Sequence, residues 1–114
     1  MKELNKVLGV SGETLASNFL KKNGYKIIER NYKNKLGEID IIASNKKTIV
    51  FVEVKARDTI VYGRPSEAVN FYKQNKIRKV AQQFLLENKL NDFPCRFDVI
   101  EIVGDKIIHI ENAF

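Results

Sequence analysis

The sequence predicts a single α/β domain, a mixed sheet with helices packed on its faces, in the order α-β-β-β-α-β-β. Three observations carry that expectation. Two stretches, GETLASNFLKKNG and SEAVNFYKQNKIRKVAQQFLLENK, space their apolar residues at helical intervals. Between them, YKIIERNY, GEIDIIAS and TIVFVEVKAR are short runs rich in β-branched and aromatic residues, joined by turns that suit antiparallel neighbours. A last pair, RFDVIEIV and KIIHIENAF, flanks Gly104 and Asp105 as the arms of a hairpin. A helical crossover after an antiparallel meander makes the sheet mixed.

Each element has its own signals. Ser11 can cap the first helix and Gly24 can stop it, with Leu15, Ala16, Phe19 and Leu20 as its apolar stripe. LNKVLG can extend that helix backwards. The first strand spans residues 25–32, NKLG turns the chain into the second, and SNKK turns it back into the third. DTIVYGRPSE is a loop long enough to reach over a site. Pro65 suits the first turn of the second helix. Val69, Tyr72 or Lys73, Ile77, Val80, Ala81 and Phe84 form its apolar side, and Lys73, Lys76, Arg78 and Lys79 its basic side. Asn70 is a position at which this helix can break.

Composition narrows the function classes. The 114 residues suit one domain, 1–114, and 44% hydrophobic residues are enough for one core. The single cysteine, Cys95, forms no internal disulfide and reads as a buried structural thiol, and no His/Cys cluster suggests zinc. No run is long enough to span a membrane, and the first residues lack the apolar core of a signal peptide, which points to the cytoplasm. Twenty Lys and Arg against fourteen Asp and Glu favour a polyanionic partner, although a net +6 also suits a protein that is merely basic. A homodimer is compatible with all of this.

The chemistry concentrates in GEIDIIASNKKTIVFVEVKAR, residues 37–57. Strand alternation puts Glu38 and Asp40 on one face, and Glu53, Lys55 and Arg57 on the face of Ile49 and Phe51. A turn centred on Lys46 and Lys47 sets Asp40 opposite Glu53 and Glu38 opposite Lys55, although Lys-Lys is not a favoured two-residue turn. Carboxylates forced together share a proton, pair with a base or bind a cation, and Mg²⁺ accepts such ligands beside substrate phosphates. Lys55 could then orient a water or stabilise charge on a phosphate. A salt-bridge ladder of Glu38, Glu53 and Lys55 at a solvated sheet end fits the spacing equally well.

Asp40, twelve intervening residues, then Glu53-Val54-Lys55 resembles the PD-(D/E)xK signature of restriction-endonuclease-like nucleases. The ordered blocks GEIDIIA, FVEVKAR, YGRPSEAV, RFDVIEI and HIENAF resemble the YraN family of small bacterial proteins, from about Gly12 to Phe114. Ile39 stands where a proline often precedes the aspartate. The resemblance implies a restriction-endonuclease-like core and a Mg²⁺- or Mn²⁺-dependent nuclease. Asp40, Glu53 and the main-chain carbonyl of Val54 would be its metal ligands, and Lys55 its catalytic lysine. Similar archaeal Holliday-junction resolvases carry a further glutamate on the first helix, the place of Glu13. At that place a surface residue favoured by the helix dipole is the alternative.

Around this set, Glu38 is a base, a ligand for a second cation, or a partner for Arg57 or Lys55. Asp98 is expected to pair structurally and His109 to be a satisfied strand residue. Arg57, Arg64, Lys73 and Lys76 are candidate phosphate contacts. The leading reading is a nuclease acting on DNA, structured or branched, or on RNA. A nucleic-acid-binding module without turnover and a protein–protein adaptor docking through its basic helix are the alternatives.

Overall fold

The computed structural model describes residues 11–57 and 69–114, and the LNKVLG extension, Pro65 and Arg64 lie outside them. Seven elements follow in the expected order: α1 (Gly12–Lys22), β1 (Lys26–Asn34), β2 (Gly37–Asn45), β3 (Thr48–Arg57), α2 (Phe71–Glu87), β4 (Cys95–Val103) and β5 (Lys106–Ile110). The five strands form one sheet in the order β1-β2-β3-β4-β5. All neighbours are antiparallel except β3 and β4, the parallel pair made by the crossover through α2. This is the α/β architecture expected, consistent with a restriction-endonuclease-like fold.

Local chemistry explains the ends of the elements. Ser11 accepts the Thr14 N–H at 3.1 Å and opens α1. Its close is a Schellman motif: Gly24, at φ +88°, donates to the Lys21 carbonyl and Tyr25 to the Leu20 carbonyl. The β2–β3 turn is tight after all, because Lys46 (φ 49°) and Lys47 (φ 69°) both take left-handed backbone, the type I′ pattern that matches strand twist. Ser44 therefore pairs with Ile49 and Ile42 with Phe51, the expected register. Helix α2 begins later than expected. Asn70 is its cap, accepting the Lys73 N–H at 2.8 Å, so α2 opens at the position where a break was expected.

Each helix covers one face of the sheet. Ala16 and Leu20 of α1 pack on Ile41, Ala43, Val50, Val52, Ile100 and Ile102. Ile77, Val80, Ala81 and Phe84 of α2 pack on Ile39, Ile42, Ile49, Phe51 and Val99. Gly37 permits the close approach of β2 to α2: it sits at φ +151°, and a Cβ there would stand 3.3 Å from Val80 Cγ2. Of the two candidates for the apolar side of α2, Tyr72 is 72% exposed, and Lys73 is the one that reaches the covered face, at Glu53. One expectation fails here. Cys95 is exposed rather than buried, because it opens β4 at the edge of the covered region.

On the α1 face, Asp98 is 0% exposed and fully bonded. Arg96 donates to both its oxygens at 2.9 Å, His109 Nε2 lies 2.7 Å from Oδ2, and the Asn112 N–H reaches Oδ1 at 3.1 Å. Tyr25 completes the cluster by accepting from Arg96 at 2.6 Å. Asp98 thus pairs structurally and His109 is a satisfied strand residue, and their bond to each other ties β4 to β5. Burial pushes Asp98 up, but the bonds from His109 and Arg96 outweigh it and hold its carboxyl below the ordinary value of 3.8. A depressed pKa contributes stability above the unfolded value that is lost as pH falls through the folded one. Asp98→Asn should therefore lose about 3–5 kcal/mol at neutral pH, the scale for orphaning a buried ionic partner. The gap from the parent in chemical denaturation should narrow as pH drops below 3.8. A gap independent of pH would contradict this account.

Candidate functional site

Asp40 sits where the β1–β2 ribbon turns over. Arg30 bonds Thr14 of α1 at 2.9 Å, whereas Tyr32, two residues on, packs edge-on against Phe84 of α2 with ring centroids 5.1 Å apart. Their partners divide likewise: Ile41, opposite Arg30, belongs to the α1 cluster and Ile39, opposite Tyr32, to the α2 cluster. On a regular strand residues two apart share a face, so the ribbon inverts between these pairs, at Asn31 and Asp40. Asn31 has φ +52°, left-handed backbone that asparagine tolerates. The β2–β3 ladder stops at Ile41↔Val52, and Asp40 extends the contact with its side chain, accepting the Val54 N–H at 2.8 Å.

Glu53 lies on the α2 face of β3, in register with buried Val99 of β4, and is 3% exposed. Its partner is Lys73 of α2, whose Nζ stands 3.1 Å from Oε2. Burial raises the pKa of Glu53, the neighbouring Asp40 charge raises it further, and Lys73 opposes both. Burial likewise raises Asp40, against the Val54 N–H bond and Lys73. Lys55, half-buried, is lowered by burial and by Lys73 beside it, against the pull of Glu53 and Asp40. Burial works to lower Lys73 too, but the Glu53 carboxylate overcomes it and raises that group. Two acids and two lysines thus share one partly dry corner, where the acids remain under-compensated.

Not every residue singled out in the sequence joins this corner. Glu38 does not face Lys55; it pairs with Lys33 across the β1–β2 ladder, at 3.7 Å on the exposed surface, and is a weaker charge acting on Asp40. Glu13 lines a concavity of about 440 Å³ with Ser11, Arg30, Asn31, Ala56 and Val54, the residue whose N–H bonds Asp40. Arg57 turns to Glu101 of β4 at 3.9 Å, with its Nε buried. Among the described residues no group of three His, Cys, Asp or Glu is placed to hold a metal ion. What burial Cys95 has pushes its thiol up, the opposite of an activated nucleophile.

Sequence reasoning placed Lys73 among phosphate contacts and missed its bond to Glu53. The signal was present: Lys73 stands four before Ile77 and seven before Val80, on the packed stripe, where a charge requires a partner. A larger concavity, about 680 Å³, opens beside this corner. It is lined by Lys33, Lys35, Leu36, Tyr72, Lys73 and Lys76, among others.

Residues 12–102 match the family model described as "Uncharacterised protein family UPF0102". The chain is 53% identical to a UPF0102 protein of Alkaliphilus oremlandii, over 97% of this chain and 100% of that one. It is 54% identical to one of Clostridium botulinum, over 96% and 95% of the two chains. To one of Caldanaerobacter subterraneus subsp. tengcongensis it is 48% identical over the whole of both.

The Lys73–Glu53 pair predicts a pH-dependent stability. An acid whose folded pKa is raised loses its contribution as pH rises from the unfolded value, here 4.5, through the folded one. Lys73→Met removes the opposing charge and should carry that loss to higher pH. The variant should melt with the parent near pH 4.5 and fall behind it toward pH 7. The deficit should reach about 1 kcal/mol, because Lys73 is 45% exposed and screened by solvent. Equal melting at every pH would mean that Lys73 does not compensate Glu53.

Proposed function

The chain belongs to the UPF0102 family, and we propose that it is a divalent-metal-dependent nuclease that hydrolyses phosphodiester bonds in DNA. One observation carries this reading: two neighbouring carboxylates, buried Glu53 and half-buried Asp40, share a corner with Lys55, and burial raises the pKa of both. Surface ion pairs do not bury acids in this way, and clustered perturbed groups in a cleft mark candidate active sites.

The donor set suits Mg²⁺ or Mn²⁺ rather than zinc. It offers two carboxylates without histidine or cysteine, and Mg²⁺ takes few protein oxygens, keeping waters and substrate phosphates as its other ligands. Asp40 and Glu53 would hold it, with the Val54 carbonyl that the resemblance implies. Glu13 lines a concavity together with Val54, and its place in that set rests on the resemblance alone. A bound cation supplies Lewis acidity at the phosphate and a more acidic water. The chain's residues do the rest. The Val54 N–H fixes one oxygen of Asp40 and so aims the other. Lys55, a compact charge on the same face as Glu53, orients the attacking water and stabilises charge developing on the phosphate. Lys73 neutralises Glu53 in the structure, and is the group that yields its place to another cation.

That same ion pair favours a second reading, a nucleic-acid-binding module without turnover, since it already satisfies one acid. Cleavage assays separate the two. On a panel of branched, nicked, single-stranded and duplex DNA with Mg²⁺ or Mn²⁺, the parent should cleave and Asp40→Asn should not. Lys55→Met should keep its melting temperature and metal affinity while single-turnover cleavage falls by roughly two or more orders of magnitude, the share of one electrostatic donor. Undiminished cleavage by Lys55→Met would remove the lysine from the mechanism. No cleavage by the parent would favour the binding module.

A further inference from the structure

We propose that the concavity between the β1–β2 turn and the first turn of α2 binds an unpaired strand of nucleic acid, with Tyr72 as the surface on which a base stacks. The proposal deepens the nuclease reading, on which it rests, by naming the substrate class: DNA with a single-stranded segment at the site of cleavage.

Three features carry it. The lining holds four lysines, Lys33, Lys35, Lys73 and Lys76, against a single glutamate, Glu38. That is the charge complement of a phosphate backbone. Tyr72 projects 72% exposed from the start of α2, beside Phe71 at 73%, and contributes nothing to the packed stripe of the helix. Lys76 Nζ stands 5.5 Å from the Tyr72 ring centroid, so one flank of the ring carries a cation beside the surface that would meet a base. An aromatic face set among lysines is the arrangement by which proteins hold single strands, stacking bases and tracking phosphates at once. In a duplex the bases cover one another's faces, so an exposed ring has nothing to stack on unless a strand is unpaired. Leu36, 43% exposed on the β1–β2 turn, adds an apolar wall to the same concavity.

The concavity also leads to the acids. Lys73 lines it and bonds Glu53, so a strand lying along the lysines passes beside the Asp40–Glu53 corner. The unpaired segment is therefore delivered where the chemistry is proposed to occur.

Binding without turnover tests this. A short oligonucleotide carrying 2-aminopurine, single-stranded or annealed to its complement, is titrated with the protein in EDTA. Fluorescence reports stacking and anisotropy reports affinity. The parent should bind the single strand at least about tenfold tighter than the duplex, with quenching. Tyr72→Ala should lose about tenfold in affinity, within the range for one stacked base, and lose the quenching, whereas Tyr72→Phe should keep both. Circular dichroism should show both variants folded as the parent. The double variant Lys35→Ala, Lys76→Ala should lower the slope of log affinity against log salt by about 1.4, for two single-strand phosphate contacts, while retaining the quenching. Equal affinity for single strand and duplex, no binding, or unchanged behaviour of Tyr72→Ala would each overturn the proposal. A failed nuclease reading looks different: intact, Tyr72-dependent binding with no cleavage when Mg²⁺ is restored.

Discussion

The constraint on which the site depends is the enclosure of two carboxylates, buried Glu53 and half-buried Asp40, where the β2–β3 ladder ends. Backbone pairing stops at Ile41↔Val52, and from there Asp40 serves as the partner of the Val54 N–H. A side chain that replaces a ladder bond cannot swing out to water, so its charge stays in the sheet. Glu53, the next residue of β3, is held under α2 by the same packing that buries Phe51. Neither acid can escape the other without unpicking the strand or the helix. Everything else at this end, including the depressed Lys55 and the bond from Lys73, is a response to that enforced proximity.

The opposite face of the sheet shows what a purely structural buried acid looks like. Asp98 is as deeply buried as Glu53, yet four bonds to Arg96, His109 and Asn112 hold its pKa below the ordinary value. Asp40 and Glu53 move the other way, above theirs. Asp98 and Glu53 share the sheet and the depth of burial, so the difference lies in satisfaction. A network closed on itself stabilises the fold and has no use for a further ligand. An open pair is destabilised as it stands and gains from any cation with vacant positions, which is why the second corner and not the first reads as a site.

Much of this was legible in the sequence because it depends on short-range rules. Period-two alternation and short turns placed Glu53, Lys55 and Arg57 on one face and set the Ile42–Phe51 register, and the single crossover made the sheet mixed. The inversion of the ribbon at Asn31 and Asp40 was not legible, since it arises from docking two helices on opposite faces. For that reason the direct Asp40–Glu53 and Glu38–Lys55 strand pairs do not form, and Glu38 goes to Lys33 instead. Packing of Ile77, Val80, Ala81 and Phe84 on the sheet turns Tyr72 outward and Lys73 inward, a choice that helical spacing alone left open. Glu13 was placed by resemblance, and it lines a concavity with Val54, the residue bonded to Asp40.

The proposed cation site is the Asp40–Glu53 corner and not the fully bonded Asp98. Paramagnetic broadening falls off steeply with distance from the ion, so titrating Mn²⁺ into isotopically labelled protein locates the site. Broadening should begin at Asp40, Glu53 and Val54 and spread outward from them. Asp98 and the exposed Glu111 should stay unaffected at the same concentration. Broadening scattered over surface carboxylates, or centred anywhere other than the end of the β2–β3 ladder, would rule that corner out.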